Sequence, residues 1–352
     1  MKIALDVTPI SGSSLKGHKV RGVGKVVQTL QNNLPKYDTK NEYVFFKYGD
    51  ALPNDIDLVH YPYFELFFIS LPFAKKLKTL VTVYDLTPIK FKEHFPAGMK
   101  GMVKWNIQKR LLNRMDGVIT DSESAQSDVI SFTNVPIEKT QVVYLATEGN
   151  FKPIDDKKSL ESIRKKYKLP DAFVLYVGDV TWNKNLPNLI KAIKKINLTL
   201  VFVGKSIVEN DFDRSNPWNK DRIIVEKLIE GDARFIKFGF VPDEELNAIY
   251  NLAVVYAMPS LYEGFGLPIL EAMQAGCPVV TSESGSIPEV AGKAVRYVDP
   301  NNIDDIADGI GEVFFSPELQ KELVKKGLEQ GKKFSIEKMM KEMVETYEKF
   351  KS

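Results

Sequence analysis

The stretch Tyr262-Glu263-Gly264-Phe265-Gly266-Leu267-Pro268-Ile269-Leu270-Glu271-Ala272-Met273 follows a short apolar run and opens a helical pattern. Pro268 suits the first position of a helix, and Gly264 and Gly266 let the backbone approach a ligand closely. Amides at a helix start, at the positive end of its dipole, bind anions such as a diphosphate. The stretch therefore predicts a strand, a phosphate-binding loop and a helix, as in doubly wound α/β sheets.

Two glutamates eight positions apart flank these glycines. Glu271 is predicted in the first helical turn, where its carboxylate can accept hydrogen bonds from both hydroxyls of a ribose. Glu263 precedes the glycines and would contact a sugar joined to the diphosphate. The alternative for either residue is a carboxylate that is stabilised by the helix dipole alone. The residues between them that we expect to line the donor site are Gly264, Phe265, Gly266 and Leu267.

A second loop, Tyr176 to Pro187, also follows an apolar run. Asn185 is predicted to be a helix N-cap, so Lys184 would lie beside a helix N-terminus, where the dipole disfavours a cation. A bound phosphate would offset that repulsion; the alternative is a solvated loop lysine. We predict that Lys184 is catalytic, and that Gly178 and Asn183 bind the donor.

The first half of the chain offers two weaker candidates. Gly22, Val23 and Gly24 precede the first predicted helix and are expected to face the donor phosphates, although two glycines before a helix are common. Asp85 ends a strand, as site residues of such sheets do. The alternative for Asp85 is an Asx-turn before Pro88.

Short apolar runs alternate with helical patterns along the whole chain, which indicates parallel sheets covered on both faces. We predict two Rossmann-like domains, residues 1–165 and 166–334, and a C-terminal helix, residues 335–352, that packs back on the first domain. The predicted strands are Lys2–Val7, Tyr43–Tyr48, Leu58–Tyr61, Thr79–Val83, Gly117–Thr120, Gln141–Tyr144, Phe173–Val177, Thr199–Val203, Arg234–Phe238, Val254–Met258, Pro278–Thr281 and Ala294–Tyr297.

The composition argues against several classes of function. A formal net charge of +2 over 352 residues argues against bulk nucleic-acid binding. One cysteine, Cys277, fits a reducing cytoplasm. The apolar stretch Tyr61–Ala74 is too short to span a bilayer. Two interpretations of it remain: a peripheral contact with the inner membrane face, or a buried strand end followed by a loop. The D-x-D pairs Asp55/Asp57 and Asp211/Asp213 are discounted as metal sites from their positions.

Together these residues resemble family 4 glycosyltransferases of the GT-B fold, close to bacterial mannosyltransferase-like members of polysaccharide and O-antigen assembly. Supporting matches are Arg21-Gly22-Val23-Gly24, Asp85-Leu86-Thr87-Pro88, Tyr176-Val177-Gly178, Lys184-Asn185-Leu186, Gly239-Phe240-Val241 and Ile287-Pro288-Glu289-Val290, besides Glu263–Glu271.

This resemblance implies two Rossmann-like domains facing a central cleft. It also implies a GDP- or UDP-sugar donor, a glycan or lipid-linked acceptor, retention at the anomeric carbon, and no metal or other cofactor. Glu263 would contact the donor sugar, Glu271 the ribose and Lys184 the diphosphate. Val241 would line the base pocket, and Asp85 would orient or deprotonate the acceptor hydroxyl. The competing interpretations are a GT-B sugar-nucleotide epimerase and a non-catalytic sugar-nucleotide-binding protein.

Two departures from the family pattern concern three positions. Tyr84 stands where many relatives have a histidine before the aspartate, so the role of that histidine is in doubt here. Asn183 and Asp179 stand where relatives often place arginines, so the phosphate site would hold fewer cations unless Arg21 or Lys25 compensates.

Overall fold

The computed structural model describes residues 1–10, 22–148 and 151–351, which form two compact units. The first unit comprises Met1–Ala146 and Phe334–Ser352, and the second comprises Thr147–Lys333. The division falls after Ala146, whereas the sequence placed it after residue 165. The intervening segment joins the second unit because its helix, Lys157–Tyr167, packs on the helix Asp243–Leu252.

The first unit is built on a six-stranded parallel sheet with strand order β2-β1-β3-β4-β5-β6. Three of its strands, β3, β4 and β5, are almost wholly buried, as expected of a sheet covered on both faces. The strands are β1 (Lys2–Asp6), β2 (Glu42–Phe46), β3 (Leu58–Tyr61), β4 (Lys78–Val83), β5 (Gly117–Thr120) and β6 (Thr140–Val142).

Four helices of the first unit lie between its strands, and one comes from the end of the chain. They are α1 (Val23–Tyr37), α2 (Thr87–Lys90), α3 (Gly98–Leu112), α4 (Glu123–Thr133) and the C-terminal helix α14 (Ile336–Lys349). Helix α14 packs on α1, and its Tyr347 is completely buried. The Tyr347 hydroxyl lies 2.9 Å from Nδ1 of His60, whose Nε2 lies 2.8 Å from the hydroxyl of Thr82.

The second unit repeats the plan with the strand order β12-β11-β10-β7-β8-β9, again all parallel. Its strands are β7 (Val174–Val177), β8 (Leu200–Val203), β9 (Phe235–Phe238), β10 (Val255–Met258), β11 (Val279–Thr281) and β12 (Arg296–Tyr297). Its helices are α5 (Lys157–Tyr167), α6 (Leu186–Ile196), α7 (Lys205–Val208), α8 (Lys220–Ile229), α9 (Asp243–Leu252), α10 (Leu267–Gln274), α11 (Ile287–Ala291), α12 (Ile303–Phe315) and α13 (Pro317–Gly331).

The strand order reverses at one place in each sheet. In the second unit, the chain runs outward through β7, β8 and β9 and then restarts at β10 on the other side of β7. In the first unit, the reversal lies between β1 and β3. Ligands of open α/β sheets bind at such switch points, outside the carboxyl ends of the strands.

The predicted fold class is confirmed, because both sheets are parallel and doubly wound. Each predicted strand has an observed counterpart, with ends that differ by no more than two residues. Cys277 is buried among core residues, and burial raises the pKa of its thiol, in keeping with a small core side chain. Within the described residues, no helix is both long and apolar enough to cross a membrane.

Candidate functional site

The centre of the second unit's switch point is an ion pair between Lys184 and Glu263. The Lys184 Nζ donates to both carboxylate oxygens of Glu263, at 2.8 and 2.7 Å. The Glu263 side chain is only 6% exposed and that of Lys184 18%. The pair is therefore largely removed from water, where the attraction between opposite charges is stronger.

The two residues meet because their loops follow neighbouring strands. Lys184 belongs to the loop after β7, and Glu263 to the loop after β10, and these strands pair in register. Asn183 connects the two loops by two hydrogen bonds. Its side-chain Nδ2 donates to the backbone carbonyl of Tyr262 at 3.0 Å, and its backbone carbonyl accepts from the amide of Leu261 at 2.7 Å. The amide of Asn183, expected to bind the donor, thus holds the site together.

Asn185 occupies the N-cap position of α6, as the sequence predicts, but its side chain makes no capping hydrogen bond. Its Nδ2 donates instead to the carbonyls of Pro259 and Pro300, at 3.0 and 2.6 Å. Its backbone has a φ of 58°, a left-handed conformation that asparagine tolerates better than most residues. Asn185 therefore turns the chain into α6, and the negative charge beside Lys184 is supplied by Glu263.

Three residues that the sequence analysis missed hold Glu263. The hydroxyl of Ser260 donates to its Oε1 at 2.6 Å, and the amide and hydroxyl of Ser286 donate to its carbonyl at 3.1 and 3.2 Å. Gly285 lies so close that an added Cβ would overlap that carbonyl oxygen. The loop after β11 therefore positions the backbone of Glu263, and Ser260 of its own loop positions the carboxylate.

The glycine loop and helix predicted from the sequence are present. Gly264, Phe265 and Gly266 are buried, and Gly266, with a φ of 96°, immediately precedes helix α10, which begins at Leu267. The start of α10 thus lies at the positive end of its dipole, which favours an anion. Pro268 has no N–H, and the amide of Ile269 donates to the carbonyl of Gly266 at 2.9 Å.

Glu271 is the fifth residue of α10, just past the first turn in which it was predicted. It is 8% exposed, and Oε2 accepts a hydrogen bond from the Tyr250 hydroxyl at 3.1 Å. Burial, with a further contribution from the Glu271 carboxylate, holds the pKa of Tyr250 well above its usual value. Tyr250 therefore remains a hydrogen-bond donor that orients the Glu271 carboxylate.

Gly178 lies at the carboxyl end of β7, where two backbones approach closely. A Cβ on Gly204, which follows β8, would overlap the carbonyl oxygen of Gly178. Beyond it, the Asp179 carboxylate accepts from the Ser206 hydroxyl at 3.1 Å. Val241, expected in the base pocket, is buried in the loop after β9, whereas its neighbour Phe240 is 80% exposed.

In the first unit, Asp85 is exposed, and its carboxylate accepts a hydrogen bond from the amide of Thr87 at 2.9 Å. This is the contact of an Asx-turn, which the sequence analysis gave as the alternative to a catalytic role. The Tyr84 hydroxyl donates to the carbonyl of Pro62 at 2.8 Å. Gly22 precedes α1, and Val23 and Gly24 form its first turn. Arg21 lies outside the described residues.

A carboxylate that the sequence analysis did not select lies at the switch point of the first sheet. Asp6 ends β1 and is fully buried; its Oδ1 accepts the amide of Thr8 at 2.8 Å, and its Oδ2 accepts the Tyr63 hydroxyl at 3.1 Å. Burial raises the pKa of Asp6 above its usual value, and these hydrogen bonds oppose that rise. The continuous apolar run around Asp6 gave no sequence signal beyond one acidic residue in a strand.

The discounted D-x-D pairs have protein partners in the structure. The Nζ of Lys2 donates to Asp55 at 2.9 Å, and the amide of Lys2 donates to Asp57 at 2.8 Å. Asp213 accepts from the amide and hydroxyl of Ser215. Across residues 1–10, 22–148 and 151–351, no three His, Cys, Asp or Glu side chains come together as a metal site.

The Lys184–Glu263 pair has capacity left for a ligand. An ammonium group has three protons, and two of them are directed at the two oxygens of Glu263, which leaves one for an incoming anion. The carboxylate oxygens have about four lone-pair directions and accept three hydrogen bonds from Lys184 and Ser260. The arrangement can therefore contact a phosphate and a hydroxyl side by side.

Comparison with known protein families matches both units. Residues 159–330 match the model for glycosyl transferases group 1, and residues 17–147 match the model for glycosyltransferase family 4. The chain is 29% identical over 279 residues to O-antigen chain mannosyltransferase B of Escherichia coli, covering 77% of this chain and 70% of that protein.

A second relative is longer than this chain. The serotype-specific mannosyltransferase WbdA of Escherichia coli is 30% identical over 262 residues, which cover 73% of this chain but only 32% of WbdA. Among solved structures, Anabaena HepE in complex with UDP-glucose superposes with a TM-score of 0.72 at 17% identity, covering 99% of both chains. Similarity at that level of identity concerns the fold.

Proposed function

We propose a sugar-transfer reaction for this chain, which belongs to the family 4 glycosyltransferases of the GT-B fold. The proposed reaction moves a hexose, mannose in the first instance, from a GDP- or UDP-sugar to a glycan or lipid-linked acceptor. The observation that carries the proposal is the buried Lys184–Glu263 pair at the switch point of the second sheet. The mannosyltransferase relatives support the choice of mannose and of a glycan acceptor.

In this proposal the donor lies across the loops that follow β7 and β10. Lys184 and the positive end of the α10 dipole bind the diphosphate, Glu271 binds the ribose, and Glu263 accepts hydrogen bonds from the transferred sugar. Two neighbouring contacts of opposite charge suit a ligand that joins an anion to a hydroxyl-bearing ring. The rigid support from Ser260 and Ser286 suits a group whose position must be fixed before reaction.

The chemistry proposed is cleavage of the bond between the anomeric carbon and the diphosphate oxygen, with formation of a bond to the acceptor oxygen. Fixed positive charge lowers the barrier where negative charge develops on the leaving diphosphate, and Lys184 with the N-terminal end of the α10 dipole would supply it. The acceptor hydroxyl proton passes to the departing diphosphate. No enzymic nucleophile takes part, so the proposal is a front-face displacement with retention.

A transfer assay with the purified chain tests this. A mannose-terminated glycan is incubated with GDP-mannose, UDP-glucose or ADP-glucose, and nucleoside diphosphate release is measured with and without acceptor. We expect acceptor-dependent release with one donor, and an α-linked product from an α-linked donor by NMR. Donor consumption without acceptor would indicate an epimerase instead, and donor binding with no turnover would indicate a non-catalytic binding protein.

A further inference from the structure

The buried carboxylate of Asp6 lies at the centre of a hydrogen-bond network in the first unit. Its Oδ1 accepts from both the amide and the hydroxyl of Thr8, at 2.8 and 2.5 Å. Its Oδ2 accepts from the hydroxyl of Tyr63 at 3.1 Å. Thr8 follows β1 and Tyr63 follows β3, so the carboxylate joins the two loops on either side of the switch point.

The network continues into the loops after β2 and β4. The hydroxyl oxygen of Thr8 also accepts from the amide of Tyr48, which follows β2, at 2.6 Å. On the other side, Pro62 precedes Tyr63, and its carbonyl accepts from the hydroxyl of Tyr84, which follows β4, at 2.8 Å. The carboxyl ends of four neighbouring strands, β2, β1, β3 and β4, are therefore connected through one buried side chain.

The two ends of this network reach the surface. Tyr84 is followed directly by Asp85, whose side chain is exposed, and Tyr48 is 42% exposed. The ring of Tyr48 lies edge-on to that of Tyr61, with 6.5 Å between their centres. A carboxylate and an aromatic ring at the edge where α/β sheets bind ligands provide a hydrogen-bond acceptor and an apolar surface.

The charge of Asp6 acts on the rings around it. Burial raises the pKa of Tyr48, Tyr61 and Tyr63 above the usual value, and the negative charge of Asp6 adds to the rise in each case. The three hydroxyl groups therefore remain protonated, and that of Tyr63 remains a donor to Asp6.

We propose that Asp6 is a positioning residue for acceptor binding, an assignment that rests on the transfer reaction proposed above. The donor is assigned to the switch point of the second sheet, and the first sheet has a switch point of its own between β1 and β3. Asp6 fixes the loops that carry Tyr48 and Asp85, and these two residues contact the acceptor sugar. Side chains that bind a substrate are effective when hydrogen bonds behind them hold their position.

Steady-state transfer kinetics of three variants test this role. Asp6→Ala removes all three hydrogen bonds, so KM for the acceptor should rise about tenfold or more. Asp6→Asn should rescue part of this loss, because its oxygen can accept from Thr8 and its amide can donate to the Tyr63 hydroxyl oxygen. Tyr63→Phe removes one hydrogen bond and should raise KM for the acceptor about threefold. In all three, kcat and KM for the donor should stay within about twofold, since only acceptor binding is changed.

Asp55→Asn is the matched control. Asp55 precedes β3 and pairs with Lys2 at the start of β1, so it lies at the opposite ends of the same two strands, with its side chain 67% exposed. It should keep the native KM for the acceptor. Urea unfolding shows which variants are folded, and Tyr63→Phe decides the matter if Asp6→Ala does not fold.

Two results would overturn the role of Asp6 while the transfer reaction stands. One is a native KM for the acceptor in folded Asp6→Asn and Tyr63→Phe. The other is a KM for the donor that rises as much as that for the acceptor, which would indicate a general loss of structure. Absence of transfer by the unaltered chain with every donor and acceptor would instead refute the proposed function, and the role of Asp6 with it.

Discussion

Gly285 lies against the backbone of Glu263, so closely that a Cβ at Gly285 would be 3.0 Å from the Glu263 nitrogen and would overlap its carbonyl oxygen. The φ of Gly285 is +63°, a left-handed conformation that costs other residues more than glycine. The loop after β11 thus sets the position of a side chain that belongs to the loop after β10.

Gly285→Ala should therefore displace Glu263. We expect a loss of about 2 kcal/mol or more in the free energy of unfolding and weaker donor binding, because the Cβ forces apart the two loops. Gly311→Ala is the control: nothing lies within 4 Å of its added Cβ, and it lies in helix α12, where alanine should stabilise by about 0.5–1 kcal/mol. Urea unfolding and donor titration of both variants measure this. Native stability and affinity in Gly285→Ala would contradict the close packing.

The Lys184–Glu263 pair should show strong coupling in stability. Lys184→Met leaves the carboxylate buried and without its cation, which should cost about 3 kcal/mol. The double variant Lys184→Met/Glu263→Gln removes both charges and should recover most of that loss. Urea unfolding of the single and double variants gives the coupling energy. If the losses in the free energy of unfolding of the single variants added up to that of the double variant, the two charges would not stabilise each other.

Tyr250 should act on nucleotide binding through Glu271. Glu271→Gln removes the charge proposed to hold the ribose, so nucleoside diphosphate affinity should fall by about tenfold or more. Tyr250→Phe keeps the carboxylate and removes the hydroxyl that orients it, so a smaller loss is expected. Calorimetric titration compares them, with Tyr297→Phe as a tyrosine control outside the proposed site. A larger loss of nucleoside diphosphate affinity in Tyr250→Phe than in Glu271→Gln would contradict the proposed role of Tyr250.

The first unit should lose stability in mild acid through His60. Burial lowers the pKa of His60 from 6.5 to about 3, so the folded state keeps the ring neutral where the unfolded chain takes up a proton. The stabilisation is present above pH 6.5 and lost as the pH falls towards 3, by about 2 kcal/mol between pH 7 and pH 5.

His60→Gln should flatten this pH dependence, whereas His94→Gln, on the more exposed His94, should retain it. Urea unfolding of both variants across this pH range provides the measurement. The same loss in His60→Gln as in the unaltered chain would assign the acid sensitivity to other groups.

The strands could be predicted because each is a short apolar run whose pattern is local. The same holds for the glycine loop before α10, which is contiguous in sequence. The role of Asn185 could not be predicted, because its amide bonds to Pro300, 115 positions later. Local propensity correctly indicates an N-cap position there, but tertiary contacts of the side chain replace the capping hydrogen bond.

The residues that hold Glu263 could not be predicted either, because these contacts also join residues that are distant in sequence. Ser286 and Gly285 contact it only because β10 and β11 are paired, and serine and glycine are common in loops. Asp6 was missed because a single acid at a strand end carries no pattern; its significance comes from the strand order. Sequence spacing identified the acids and the lysine, and the fold explains how they come together.

The most direct test of the proposed donor site is the rate of sugar transfer by Glu263→Gln at saturating donor. The substitution keeps the shape of the side chain and removes the charge that pairs with Lys184. We predict that kcat falls by about 10²- to 10³-fold, while Glu230→Gln, an exposed acid in the same unit, transfers at the native rate. A native kcat in a folded Glu263→Gln variant would contradict the assignment of this site.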